Sequence, residues 1–257
     1  MGDIEDHIEV YERKEEIKNL KRERVDRDSD IFKVRDEVFD QSTRLTLFKL
    51  MNNGYIESLN GEIATGKEAN VFYGKDGEGK EIAVKIYRIA TSNFNKMYEY
   101  LVGDPRFYYT KKDKRSTVFS WAKREFKNLK IASEVINVPK PILTRNNILI
   151  MEFLGKNTKA YPTLKDNKSR DPEKDFNIII ENVDKLYKAG LIHADLSEYN
   201  ILMGKKIYFI DFAQGTIKDS IMAQDFLKRD IENITRYFSN YIEVPEVNET
   251  LKGILNE

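Results

Sequence analysis

The eight residues His193-Ala194-Asp195-Leu196-Ser197-Glu198-Tyr199-Asn200, followed eleven residues later by Asp211-Phe212-Ala213, constrain this chain more than any other segment. Two short apolar runs between them, Ile201–Met203 and Ile207–Ile210, read as strands joined at Gly204-Lys205-Lys206. Two acids and an amide are thereby set at a fixed spacing. Asn200 and Asp211 offer oxygen to a hard cation such as magnesium, which prefers carboxylates and carbonyls. Asp195 stands where the proton of an attacking hydroxyl would go. The spacing is the one used to hold a nucleotide's metal ions and orient a hydroxyl for phosphoryl transfer.

Composition narrows the setting. At 257 residues and 40% hydrophobic the chain can hold one large or two small domains around a real core. Its 43 basic and 43 acidic side chains cancel, so no global charge draws it to DNA or to a membrane, although local patches remain. Cysteine is absent, which excludes disulfides and thiolate metal sites, and two histidines far apart in sequence make a zinc site a poor reading. No apolar stretch approaches the roughly 20 residues a bilayer span needs. The N-terminus is charged and has no signal-peptide core. A cytoplasmic protein is expected.

The order of elements predicts an α+β, two-lobed architecture. Residues 1–42 read as a charged, helical N-terminal arm. Ser42 or Thr43 caps a helix carrying Leu45, Phe48, Leu50 and Met51. Residues 43–152 form a strand-rich lobe: a hairpin of Asn70–Gly74 and Glu81–Arg88, an irregular and flexible insertion over 89–115, and a long helix opened by Ser116 or Thr117. Two more strands turn at Asn146-Asn147. Residues 153–257 form a mainly helical lobe, entered through a polar connector and a helix that starts at Asp171-Pro172 and stops at Gly190.

Several residues carry chemistry in this frame. Lys85 shares a strand face with Ala83, and a lysine on a buried face needs anions; Glu125, in the long helix, is the chosen partner. The turn Thr65-Gly66-Lys67 precedes the hairpin, and its small residues let backbone N–H groups approach a triphosphate, with Lys67 or Thr65 adding contacts. Val71 lies just beyond it. The Glu152 carbonyl and the Leu154 N–H, at the end of the Met151 strand, suit a purine edge. Leu202 and Ile210 would floor an adenine pocket. His193 reads as a brace for the loop of Asp195 rather than a proton carrier.

These residues resemble the RIO family of atypical protein kinases, its type-1 branch most closely. The likeness rests on Thr65-Gly66-Lys67-Glu68-Ala69-Asn70-Val71-Phe72, on His193 to Asn200 and on Ile210-Asp211-Phe212, and runs from about Phe39 to Phe238. It implies a protein-kinase-like fold that binds ATP with Mg2+ or Mn2+, and a role in maturation of the small ribosomal subunit among its RNA and proteins. By position, Lys85 would hold the α- and β-phosphates and Glu125 would hold Lys85. Asp195 would be the catalytic base, Asn200 and Asp211 the metal ligands, and Asp211 also a possible phosphate acceptor.

Departures from ordinary protein kinases shape the expected activity. Alanine replaces the arginine before the catalytic acid, and Ser197 stands where many kinases place a lysine that neutralises the transferring phosphate. Only 46 residues follow Asp211, without an Ala-Pro-Glu segment, so a truncated C-terminal lobe is expected. ATP hydrolysis or self-phosphorylation is then as plausible as transfer to free peptides. A nucleotide-gated scaffold without catalysis and a small-molecule phosphotransferase are the alternatives. Lys111, Lys112, Lys114 and Arg115, with Lys123 and Arg124 and with Phe107, Tyr108 and Tyr109 nearby, suggest RNA contact.

Overall fold

The computed structural model describes residues 39–89 and 94–255. Most of the arm expected over 1–42 therefore lies outside the described residues. Helix α1 spans Gln41–Asn52, so Ser42 and Thr43 sit inside it rather than capping it. Its buried positions are Thr43, Thr46, Leu47 and Leu50, whereas Leu45 and Phe48 face solvent. Hydrogen bonding explains this choice of face: Asn146 and Asn147 donate to the hydroxyls of Thr46 and Thr43, each at 2.8 Å.

Five antiparallel strands form the main sheet: β1 (Ser58–Thr65), β2 (Ala69–Lys75), β3 (Glu81–Tyr87), β4 (Pro141–Arg145) and β5 (Ile148–Glu152), in the order β1-β2-β3-β5-β4. The β2–β3 turn closes because the Asp76 carboxylate accepts from the N–H groups of Glu78 and Lys80, both at 2.9 Å. Asn146, at φ 54°, makes the tight β4–β5 turn; asparagine tolerates that left-handed conformation.

Among the described residues, the later part of the insertion, from residue 94, holds regular structure. Phe94–Val102 forms helix α2, which buries Met97 and Leu101, and Phe107 is buried beyond it. Tertiary burial decides the matter: Met97 and Leu101, four residues apart, share a face that packs with Trp121 and Val118. Helix α3 then spans Lys114–Ser133. Its N-cap is Asp113, whose side chain accepts from the Ser116 N–H, so the helix begins two residues before Ser116.

The connector after β5 contains a small hairpin, β6 (Gly155–Lys156) and β7 (Lys159–Ala160). Its turn residues Asn157 and Thr158 both have positive φ, the geometry that matches strand twist. Helix α4 (Pro172–Lys188) is capped by Asp171 and stops at Gly190, φ 81°. Strand β8 (Leu191–Ile192) pairs with β11 (Thr216–Ile217), and β9 (Ile201–Met203) pairs with β10 (Ile207–Phe209). Helices α5 (Ala223–Phe238) and α6 (Val247–Leu255) follow. One apolar core runs from Tyr73, Ala83 and Leu149 of the sheet to Phe176, Phe212 and Ile231 below it. No helix among the described residues is long and apolar enough to cross a membrane.

Candidate functional site

A 910 Å³ cleft opens between the sheet and the helical half. Every residue expected to hold nucleotide, metal or the reacting proton lines it. The Thr65-Gly66-Lys67 turn lies at one side. Val71, Ala83, Met151, Leu202 and Ile210 supply apolar walls, Glu152 and Leu154 the strand end, and Lys85, Glu125, Asp195, Asn200 and Asp211 the polar end. That volume falls within the range of small-molecule sites. Strand pairing explains the convergence, because Val71 registers opposite Lys85 and Ala83 opposite Met151. At Gly66 a Cβ would stand 3.2 Å from the Ala69 carbonyl oxygen, which keeps this turn tight. The Glu152 N–H donates to Lys140 and the Leu154 carbonyl accepts from Tyr161. Neither bond uses the Glu152 carbonyl or the Leu154 N–H, the atoms that suit a purine edge.

Lys85 sits within β3. Its ammonium lies 2.8 Å from Glu125 Oε1 and 3.0 Å from Asp211 Oδ1. Burial alone would lower its pKa, but the carboxylates of Asp211 and Glu125 more than offset that and hold it above its usual value. Glu125 is only 1% exposed, and burial raises its carboxyl against the pull of Lys85. The Tyr87 hydroxyl donates to the other oxygen of Glu125, a partner that the sequence alone does not point to. Its signal is weak, since Tyr87 is one more aromatic residue at a strand end.

Helix α5 builds the loop of Asp195. The Asp230 carboxylate, 1% exposed, accepts from the N–H groups of Ala194 at 2.7 Å and Leu196 at 2.8 Å. Arg229 donates to the Ala194 carbonyl and Asn233 to that of Leu196. Ala194 and Asp211 sit at φ 63° and 64°, a strained conformation for residues with a Cβ, costing about 1–3 kcal/mol each. Such strain persists only where surrounding bonds dictate it. The sequence does carry a signal for Asp230: it is an acid on the apolar face of a helix beside Leu227, Ile231 and Ile234. In Asp230→Asn one acceptor becomes a donor that faces an N–H. This variant should unfold about 1–3 kcal/mol more easily, and thermal unfolding measures it; an unchanged midpoint would mean that these bonds do not hold the loop.

His193 is buried, and its Nε2–H donates to the Ile210 carbonyl at 2.9 Å. Burial pushes its pKa down to about 4, so the ring is neutral near pH 7 and ties the Asp195 loop to the Asp211 loop. Asp195 itself is raised to about 6, first by burial and then by the charge of Asp211. The Asn200 amide nitrogen donates to the Asp195 carbonyl at 2.8 Å, which leaves the amide oxygen as the end available to a cation. Burial would raise Asp211, but Lys85 outweighs it and holds this carboxyl low; its side chain is 46% exposed.

Among the described residues no three His, Asp or Glu side chains form a complete metal cage. An amide oxygen and one carboxylate nonetheless fit a cation such as Mg2+, which keeps waters and takes its remaining ligands from phosphates. Lys96 of α2, which no sequence pattern marks, lines the same cleft, and its positive charge acts on Asp195.

A family model for the RIO domain matches residues 70–250. The chain is 44% identical over 208 residues to the RIO-type serine/threonine-protein kinase Rio1 of Methanocaldococcus jannaschii, covering 80% of this chain and 71% of that protein. It is 39% identical over 214 residues to the protein of the same name from Haloferax volcanii, covering 82% and 74%. Against the human serine/threonine-protein kinase RIO1 identity is 33% over 247 residues, covering 89% of this chain and 43% of that protein. In fold it is similar to the Rio2 kinase of Chaetomium thermophilum, solved as an ADP/Mg2+-phosphoaspartate complex, at a TM-score of 0.62 and 23% identity. That match covers 82% of this chain and 65% of the solved one. With this family match, these identities and this architecture, the chain belongs to the RIO family, in its Rio1-type branch, and has the kinase-like fold.

Proposed function

We propose that the chain is an ATP-dependent serine/threonine phosphotransferase that also hydrolyses ATP or phosphorylates itself, and that it acts in small ribosomal subunit maturation. The observation that carries the chemistry is Lys85, held between Glu125 and Asp211 in the cleft that Asp195 and Asn200 also line. The names of its relatives support the reaction class. When bound, ATP supplies the phosphoryl group and Mg2+ or Mn2+ neutralises its charge.

The residues of the chain divide the remaining work. Lys85 offers a fixed ammonium to phosphate oxygens. Asn200 and Asp211 present two oxygens to the cation. The Asp195 carboxylate, raised toward neutrality, accepts a proton from an attacking hydroxyl. Because Asp211 is half-exposed to the cleft, its carboxylate is also accessible as a phosphate acceptor. Lys96 brings positive charge to a site where Ser197 brings none. The test is ADP release and transfer of labelled phosphate with Mg2+, comparing wild type with Asp195→Ala. Equal rates in the two proteins would leave a nucleotide-gated scaffold instead. Phosphorylation of a small alcohol would favour a small-molecule phosphotransferase.

A basic surface supports the ribosomal reading. Lys111, Lys112, Lys114 and Arg115 are exposed, next to Tyr108 and Tyr109 at 69% and 63% exposure. Phe107 and Arg124 are buried and drop out of this patch. Lys114 and Arg115 occupy the first turn of α3, which has no acidic residue. Asp113 already caps that turn at the Ser116 N–H, and cations there oppose the helix dipole, so they gain nothing for the helix and their charge is left for phosphate. Replacing all four cations with glutamate should weaken RNA binding and flatten its salt dependence by about one unit of slope for each phosphate no longer neutralised. An unchanged slope would exclude this surface.

A further inference from the structure

The chain holds the backbone after Asp211 from outside the site. Asn128 of α3 donates through Nδ2 to the carbonyls of Phe212 at 2.9 Å and Gly215 at 2.7 Å. Arg124, one turn earlier on the same helix, donates to Gly215 at 3.0 Å and Gln214 at 3.2 Å. The Asn128 carbonyl oxygen in turn accepts from Arg106 Nη2 at 2.9 Å. Arg106 is clamped by the Asp104 carboxylate through Nε at 3.0 Å and Nη2 at 2.7 Å. Asp104 also lies 3.6 Å from Arg124. Asp104 and Asn128 are 0% exposed and Arg124 is 1% exposed.

We propose that Arg106 and Asn128 are positioning residues for the metal-binding end of the site, fixing the Phe212–Gly215 backbone and through it the carboxylate of Asp211. The inference rests on the reading of Asn200 and Asp211 as that end.

Three observations favour it over a purely stabilising role. Asp211 adopts φ 64°, a left-handed conformation that costs a residue with a Cβ, and bonds from outside the loop hold it there. Gly215 is fitted to the clamp: a Cβ there would lie 2.9 Å from Asn128 Nδ2 and 3.1 Å from the Phe212 carbonyl oxygen. The cluster is also costly as a stabilising device. Arg106 and Arg124 each keep a buried Nη1 without a hydrogen-bond partner, and a buried charge cluster of this kind is commonly no more stable than an apolar replacement. What it does give is geometry. Glu125 lies between Arg124 and Asn128 on α3 and reaches Asp211 through Lys85. One helix therefore grips the Asp211 loop by its side chain and by its backbone. Asp104 and Arg106 lie between α2 and α3, so the stretch after β3 helps set the metal end.

The experiment titrates Mg2+ against binding of a fluorescent ADP analogue to wild type, Asn128→Ala, Arg106→Ala and the double variant, with thermal unfolding of each. Asn128→Ala should raise the Mg2+ needed for half-maximal effect about 10–100-fold, the usual cost of losing a group that orients a metal ligand. Its affinity for the analogue without metal should change far less, since Lys85 keeps its ion pair with Glu125. Arg106→Ala should shift the Mg2+ requirement in the same direction, and adding it to Asn128→Ala should change little, because the two act in series. Ile254→Val, in the core of α6, should lower the unfolding midpoint without moving the Mg2+ requirement. Arg106 is partly exposed, so its variant keeps the test decisive if Asn128→Ala does not fold. A wild type that responds to Mg2+ while both variants respond identically overturns this inference alone. A wild type indifferent to Mg2+ overturns the functional reading and this inference with it.

Discussion

Asp195→Ala should turn ATP over about 10²–10⁴ times more slowly than wild type, the usual loss on removing a general base, while unfolding no more easily. Asp195 is raised to about 6 by burial and by the charge of Asp211. Its folded-state pKa therefore lies above the ordinary carboxylate value. Between that ordinary value and about 6 the folded state binds more protons than the unfolded state, so stability falls as pH rises through the window. Above about pH 6 the ionised carboxylate is a full burden on the fold, and alanine removes it. Thermal unfolding at about pH 7–8 should accordingly give the variant a midpoint equal to or above that of wild type. The wild-type rate should decline as pH drops below about 6, because the base is then protonated. A bound cation at Asp211 cancels part of the cause and moves this limb lower. A variant that keeps wild-type turnover would remove Asp195 from the chemistry.

Lys85→Met should cost about 3–5 kcal/mol of stability, the penalty for leaving one partner of a buried ion pair unpaired. Glu125 is 1% exposed, and after the change it keeps only the Tyr87 hydroxyl. Asp211 contributes less to the loss, since its side chain is 46% exposed and water screens it. Burial already raises the Glu125 carboxyl, so it will take up a proton once Lys85 is gone. A raised carboxyl loses stability as pH rises, and the deficit should be larger at about pH 8 than at about pH 5. The double variant Lys85→Met, Glu125→Gln should recover most of the loss, because a neutral amide still accepts from Tyr87. Activity should stay absent in both, since neither presents an ammonium to phosphate. Chemical denaturation of the two variants decides it: equal stability would mean that Glu125 is not the group left stranded.

Local patterns in the chain foretell much of this fold. The Asp171-Pro172 start and Gly190 stop of α4 and the Asn146-Asn147 turn follow from capping and turn chemistry. Elements that depend on distant partners are not legible in this way. Helix α2 has few local signals, and it exists because Met97 and Leu101 find Trp121 and Val118. The cap of α3 is hidden because Asp113 lies inside a run of cations that reads as loop. For the site, residue identities mark Lys85, Asp195, Asn200 and Asp211. Of the groups that hold them, Asp230 stands out as an acid on an apolar helix face, whereas Tyr87, Asn128 and Arg229 are ordinary members of strands and helices, revealed by their contacts across the fold.

Alanine at position 194 changes what can govern such a site. Its neighbourhood is fastened by Asp230, Arg229 and Asn233, all on one helix of the interior. A phosphate arriving on a surface segment would find no guanidinium at residue 194 to pull, and that of Arg229 nearby is already engaged with a main-chain oxygen. The machinery is thus set when the polypeptide folds. Any change in the geometry of that loop therefore has to travel through the helix that carries residues 229, 230 and 233.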